Sequence, residues 1–115
     1  MKYKEALDLV NNEPIEKLVF PKDGRMEYAP AVDALLMACL DDFDMSIYDD
    51  YVKEAKFRPE LLELKEKKKK VSEFSKQDLQ LFLAIQQKAE AVMAGQIATI
   101  VENKLLVEVA EEIKK

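Results

Sequence analysis

From residue 30 onward, apolar positions recur with helical spacing. Pro30 suits a first helical position, and Val32, Leu35, Leu36, Cys39, Leu40 and Phe43 follow at the intervals of one helix face. Ser46 and Asp49 fit a capping box, which predicts a short second helix with Ile47, Tyr48, Tyr51, Val52 and Ala55 on its apolar side. Arg58-Pro59 ends it. Pro59 then opens a third helix carrying Leu61, Leu62 and Leu64, with Val71 the next apolar position in line.

The strongest start signal is Phe74-Ser75-Lys76-Gln77-Asp78-Leu79. Ser75 and Asp78 match a capping box, and Phe74 and Leu79 take the two positions of a hydrophobic staple. No proline follows, so the pattern predicts one long helix to about Asn103. Beyond it lies either a continuation or a short final helix through Leu106, Val109, Ala110 and Ile113. Along the long helix, Phe82, Ile85, Ala89, Met93, Ile97 and Ile100 form a stripe of period near 3.6, which favours a globular bundle over an extended coiled coil. A second row, Ala91, Ala94, Gly95 and Ala98, consists of small residues that let a neighbouring helix approach closely. That row predicts either a central pillar or part of a dimer seam.

The N-terminal quarter is patterned less regularly. Tyr3 to Val10 reads as a helix through Ala6, Leu7, Leu9 and Val10, with Asn11-Asn12 as its left-handed stop. Ile15 to Phe20 fits strand or helix. Asp23-Gly24 is the preferred centre of a type I′ turn, which would pair Lys22 with Arg25, Phe20 with Glu27 and Val19 with Tyr28. Pro21 and the weak β character of both arms leave a plain loop as the alternative near residues 17–29. The expectation is an all-α, mostly helical bundle of about five or six helices in one domain spanning residues 1–115.

Composition narrows the function classes. The chain has 115 residues, 49% hydrophobic and 36% charged, with two glycines, one cysteine and no histidine. This argues against glycine-rich phosphate cradles, histidine catalysis and most zinc sites. No run approaches the roughly 20 apolar residues of a membrane span. The N-terminus meets charge too soon for a signal peptide, and the lone Cys39 suits a reducing compartment, so the expected location is cytoplasmic. The formal net charge is −5, distributed as −7 over residues 1–64 and +2 over residues 65–115, which makes nucleic acid a poor general partner.

Three clusters carry candidate chemistry. Asp42, Asp44, Ser46 and Asp50 match four positions of a calcium loop, but Ile47 replaces its glycine and Lys53 its final glutamate, so no metal is expected. The wider group Asp41, Asp42, Asp44, Tyr48, Asp49, Asp50 and Tyr51 could imitate spaced phosphates toward a basic protein, or simply cap helices at a polar turn. The Lys67–Lys70 run could touch phosphates, but its residues step around a helix end where Glu63 and Glu66 can pair with Lys67 and Lys70. No nucleophile, base and oxyanion donor come together, so neither catalysis nor a cofactor is expected. These observations lead to a small non-enzymatic protein–protein interaction module, an adaptor, assembly factor or inhibitor, with self-association expected from its apolar helix surface. The alternatives are a nucleic-acid mimic acting through Asp41–Asp50 and a weak nucleic-acid contact through Lys67–Lys70.

Overall fold

A computed structural model describes residues 1–54 and 58–115. The protein is 68% helical, with seven helices among the described residues and one two-stranded hairpin. Helix α1 spans Tyr3–Asn12, strands β1 and β2 span Val19–Lys22 and Arg25–Tyr28, and α2 spans Pro30–Leu40. Then follow α3 (Met45–Lys53), α4 (Pro59–Lys65), α5 (Lys76–Val92), α6 (Gln96–Glu102) and α7 (Leu105–Ile113), with 3-10 turns at Ile15–Lys17 and Val71–Glu73.

The hairpin forms in the register that the Asp-Gly turn implies: Val19 opposite Tyr28, Phe20 opposite Glu27, and Lys22 opposite Arg25. Asp23 and Gly24 have φ of 49° and 77°, the double left-handed geometry of a type I′ turn. The ambiguous segment before it divides into the 3-10 turn and then the strand. Pro30 and Pro59 take the first turns of α2 and α4. At α1 the expected asparagine stop is replaced. The helix runs through Asn12, and Glu13 leaves it extended (φ −73°, ψ 146°), the conformation favoured before a proline such as Pro14.

Helix α5 is the centre of the core. Leu79, Leu81, Phe82, Leu83 and Ala84 are all buried, and α5 packs on α2, α3, α6 and α7. The Ser75 hydroxyl accepts from the Asp78 amide at 3.1 Å, as the cap requires, while the Asp78 carboxylate turns to Arg58. Buried Gln80 donates to the Cys39 carbonyl at 2.9 Å and to Asp42 at 2.6 Å, tying the start of α5 to the end of α2. Helix α7 closes the other side, buried through Leu105, Leu106, Val109, Ala110 and Ile113, and it receives the Tyr3 hydroxyl of α1 on the Ala110 carbonyl at 3.2 Å.

The single helix expected from Ser75 to about Asn103 is two helices. Helix α5 stops at Val92, Met93 is extended, and Gly95 adopts φ 100° to begin α6 in a new direction. A long-range polar knot holds the break. The Tyr28 hydroxyl donates to Glu90 Oε1 at 2.8 Å and accepts from the Ala98 amide at 3.0 Å. The Glu90 carboxylate also accepts from the amides of Gly95 (2.9 Å) and Ile97 (2.8 Å), which a continuous helix would have spent on its own carbonyls. The next break, at Lys104 (φ 68°), separates α7 as a short final helix.

Candidate functional site: a groove and an apolar corner

The aspartate cluster is largely occupied by local duties. Asp44, not Ser46, caps α3, accepting from the Ser46 amide at 2.9 Å, and this bond holds its carboxyl below the usual range. The Asp42 carboxyl is also lowered, first by its hydrogen bond from Lys76 at 2.5 Å and then by that from Gln80. Asp41 pairs with Lys114 at 3.7 Å. Asp49 and Asp50 are exposed, and no side-chain partner for either lies among the described residues. Tyr48 and Tyr51 are half-buried with ring centroids 6.5 Å apart, and Lys88 stands 5.9 Å over the Tyr48 ring. Ala55, the last apolar position expected on this helix, lies outside the described residues.

The lysine run turns a corner instead of continuing a helix. Lys67 takes φ 61°, and the amides of Lys67 and Lys68 bond the carbonyls of Leu64 and Glu63, a left-handed helix stop built on lysine in place of glycine. The expected pairs with Glu63 and Glu66 do not form. The Lys67 ammonium instead reaches the Asn103 carbonyl at 2.8 Å and Glu108 at 3.3 Å. Lys68 pairs with Glu66 at 3.8 Å, and the Lys70 amide donates to Glu73. Val71 sits in its own 3-10 turn.

The break at Gly95 divides the small-residue row, so its members do not share one continuous helix. Ala91 and Ala94 are exposed, Gly95 is the turn residue, and half-buried Ala98 lies on α6. Val92 and Met93 between them are 90% and 66% exposed, so Met93 falls out of the expected core stripe. Four consecutive apolar residues, Ala91, Val92, Met93 and Ala94, thus project at a corner that the Tyr28–Glu90 bonds hold in place.

A groove of about 190 Å³ adjoins this corner. Leu61, Leu62 and Lys65 of α4 form one wall, and Ile85, Gln86 and Ala89 of α5 form the other. Tyr51, Arg58 and Gln96 close the ends. On α5, Ile85, Ala89 and Val92 succeed one another at helical spacing, so the wall runs on toward the exposed corner. Arg58 is held by Glu60 at 2.6 Å and Asp78 at 3.1 Å, which raise its pKa further above the ordinary arginine value. Half-buried Lys65 donates to the Gln96 carboxamide, and burial lowers its pKa, with Glu90 opposing. Gln86 is only 5% exposed, and its Oε1 has no hydrogen-bond partner.

None of Arg58, Lys65, Gln86 and Gln96 stands out in the one-dimensional pattern. The available signal was Gln86 itself, a polar residue four positions after Phe82 on the buried side of α5. Among the described residues, no three His, Cys, Asp or Glu gather to hold a metal ion, and no helix is long and apolar enough to cross a membrane. Compared with known proteins, the chain matches no family model, and no curated protein or solved structure is significantly similar to it.

Proposed function

We propose that this protein is a small, acidic, non-enzymatic interaction module, an adaptor, assembly factor or inhibitor that presents its α5–α6 corner to another protein. The observation that carries the reading is the exposure of Val92 (90%) and Met93 (66%) within a run of four apolar residues on a hydrogen-bonded corner. Single exposed apolar side chains are ordinary, whereas a contiguous apolar tip continuous with a groove wall has the character of a contact surface. A second copy of the chain would use the same tip. The absence of histidine from the sequence supports a non-enzymatic role, as does the burial of the Cys39 thiol, whose pKa is pushed up to about 12. A buried, unpaired cysteine supports residence in a reducing, cytoplasmic compartment. The acidic cluster offers less support for nucleic-acid mimicry, since three of its five aspartates already serve Lys114, Lys76 and the α3 cap.

The test places a photo-crosslinking residue at position 93 and, as a control, at position 37, where Met37 is 71% exposed on α2. The expected result is a discrete adduct from position 93 in cells, either with one other protein or with a second copy, that disappears with Val92→Lys. Equal adducts from both positions, or none from position 93, would overturn the proposal.

A further inference from the structure

The sequence between Ser75 and Asn103 is patterned for one helix, and the fold bends it. Phe82, Ile85, Ala89, Met93, Ile97 and Ile100 keep one helical stripe straight through the break. Phe82, Ile97 and Ile100 are nevertheless buried, while Met93 between them is 66% exposed. The bend turns on a single backbone residue, Gly95 at φ 100°. It is held from outside the helix: the Gly95 and Ile97 amides donate to Glu90, and the Ala98 amide donates to the Tyr28 hydroxyl. In a continuous helix the same three amides would donate to the carbonyls of Ala91, Met93 and Ala94. Straightening therefore replaces those bonds one for one and forfeits only the bond from Tyr28 to Glu90.

What lies beyond the break cannot stay uncovered. Ile97, Ile100, Leu105, Leu106, Val109 and Ile113 are buried, and α7 packs on α1, α2 and α5. Polar contacts cross the same boundary. Tyr3 reaches the Ala110 carbonyl at 3.2 Å, Lys67 reaches Glu108 at 3.3 Å, and Lys104 reaches the Asn11 carbonyl at 2.7 Å. A chain that straightens withdraws α6 and α7 from this seat, and their apolar face then needs a seat of the same shape. A second copy of the chain offers one.

We propose that α6 and α7 exchange between two copies by straightening of the α5–α6 joint, giving a dimer in which residues 96–115 of each chain fill the seat of the other. Such an exchange re-forms across the dimer the contacts that the closed chain makes within itself, which is why it is a low-cost route to association. Each chain then carries one helix from Lys76 to Glu102, roughly 40 Å long at 1.5 Å per residue. Ala91 to Ala94, exposed in the closed chain, enter the helical stretch that joins the two subunits. Tyr28 and Glu90 form the latch that keeps a single chain closed. The inference goes beyond the contact surface proposed above, since it holds whether or not another protein uses the corner.

The test refolds a mixture of ¹⁴N- and ¹⁵N-labelled full chains together from urea at high concentration and isolates the dimer. A carbodiimide then joins the half-exposed Lys67 and Glu108, and mass spectrometry of the linked peptides shows which chain supplied each end. Exchange is expected to give links that pair the two isotopes, whereas copies lying side by side give links of one isotope only. Gly95→Ala should raise the dimerisation constant about tenfold or more, because each dimer straightens two joints and alanine favours the helix. An alanine Cβ there meets no atom within 4 Å, so only the positive φ of the bend opposes it. Tyr28→Phe, which opens the latch without touching the joint, should act in the same direction and serves if Gly95→Ala does not fold. Links of one isotope only, or a dimerisation constant unmoved in every folded variant, would overturn the proposal. The links report which chain supplies α7 and not what touches the corner, so this result and the photo-crosslinking result fail separately.

Discussion

The start of α5 and the corner that follows its end both carry runs of apolar side chains and treat them in opposite ways. Between Leu79 and Ala84 the helix is enclosed on every side, and even Gln80 is buried by spending its amide on Cys39 and Asp42. At Ala91 to Ala94 the side chains stand in solvent, and the backbone, not the side chains, is what the structure holds. Hydrophobic residues at one end therefore stabilise the fold, while those at the other end are free to contact something else. The difference comes from the neighbours: Gln80 ties the first turns to the end of α2, and the turn at Gly95 carries the chain away from the last.

The largest break in this comparison should come from truncation at both ends. Phe82→Ala is expected to cost about 3–5 kcal/mol, seen as a lower urea midpoint at an unchanged slope, whereas Met93→Ala should stay within about 0.5 kcal/mol of the parent. Equal losses would show that the exposed end is packed after all. Next in size, Glu90→Ala strips three accepted hydrogen bonds from the α5–α6 joint and is expected to cost about 2 kcal/mol. Exchange of the Gly95 and Ile97 amides would rise with it. The smallest effect concerns the anchored end. The folded Asp42 carboxyl is lowered by Lys76 and Gln80, so its stabilising contribution is present above about pH 4 and is lost as pH falls through the folded value. Asp42→Asn should therefore flatten the acid limb of a stability-versus-pH curve by lowering stability slightly in the neutral region, while the most acidic points stay nearly unchanged.

Local chemistry was legible in the sequence; chemistry between distant residues was not. Asp23-Gly24 specified its turn and register because both backbone angles follow from two adjacent residues. Pro30, Pro59 and Ser75 announced helix starts for the same reason. Gly95 gave no comparable notice, since a glycine inside a helical pattern costs only about 1 kcal/mol. What ends α5 there is reinforced by Tyr28, 62 positions before Glu90. At α3 the difference is of another kind: Ser46 fits a capping box with Asp49, but Asp44 two residues earlier is an equally good cap, and the structure uses it. The groove was hidden because its residues come from four helices and the Arg58 cap, and because Lys65 and Gln96 look like ordinary surface residues until α4 and α6 meet.

The left-handed lysines have a consequence for how this chain tolerates change. Lys67 and Lys104 accept φ of 61° and 68°, angles at which glycine would rest more easily. Each also extends its amine to a foreign helix terminus, Lys67 to the Asn103 carbonyl and Lys104 to the Asn11 carbonyl at 2.7 Å. Glycine at either place would relax the backbone and sever the clasp, two opposing effects of similar size. Both positions are thus nearly indifferent to a replacement that elsewhere in a protein would loosen a joint, and because Lys67 grips the peptide that leads into Lys104, a change at one should be felt at the other.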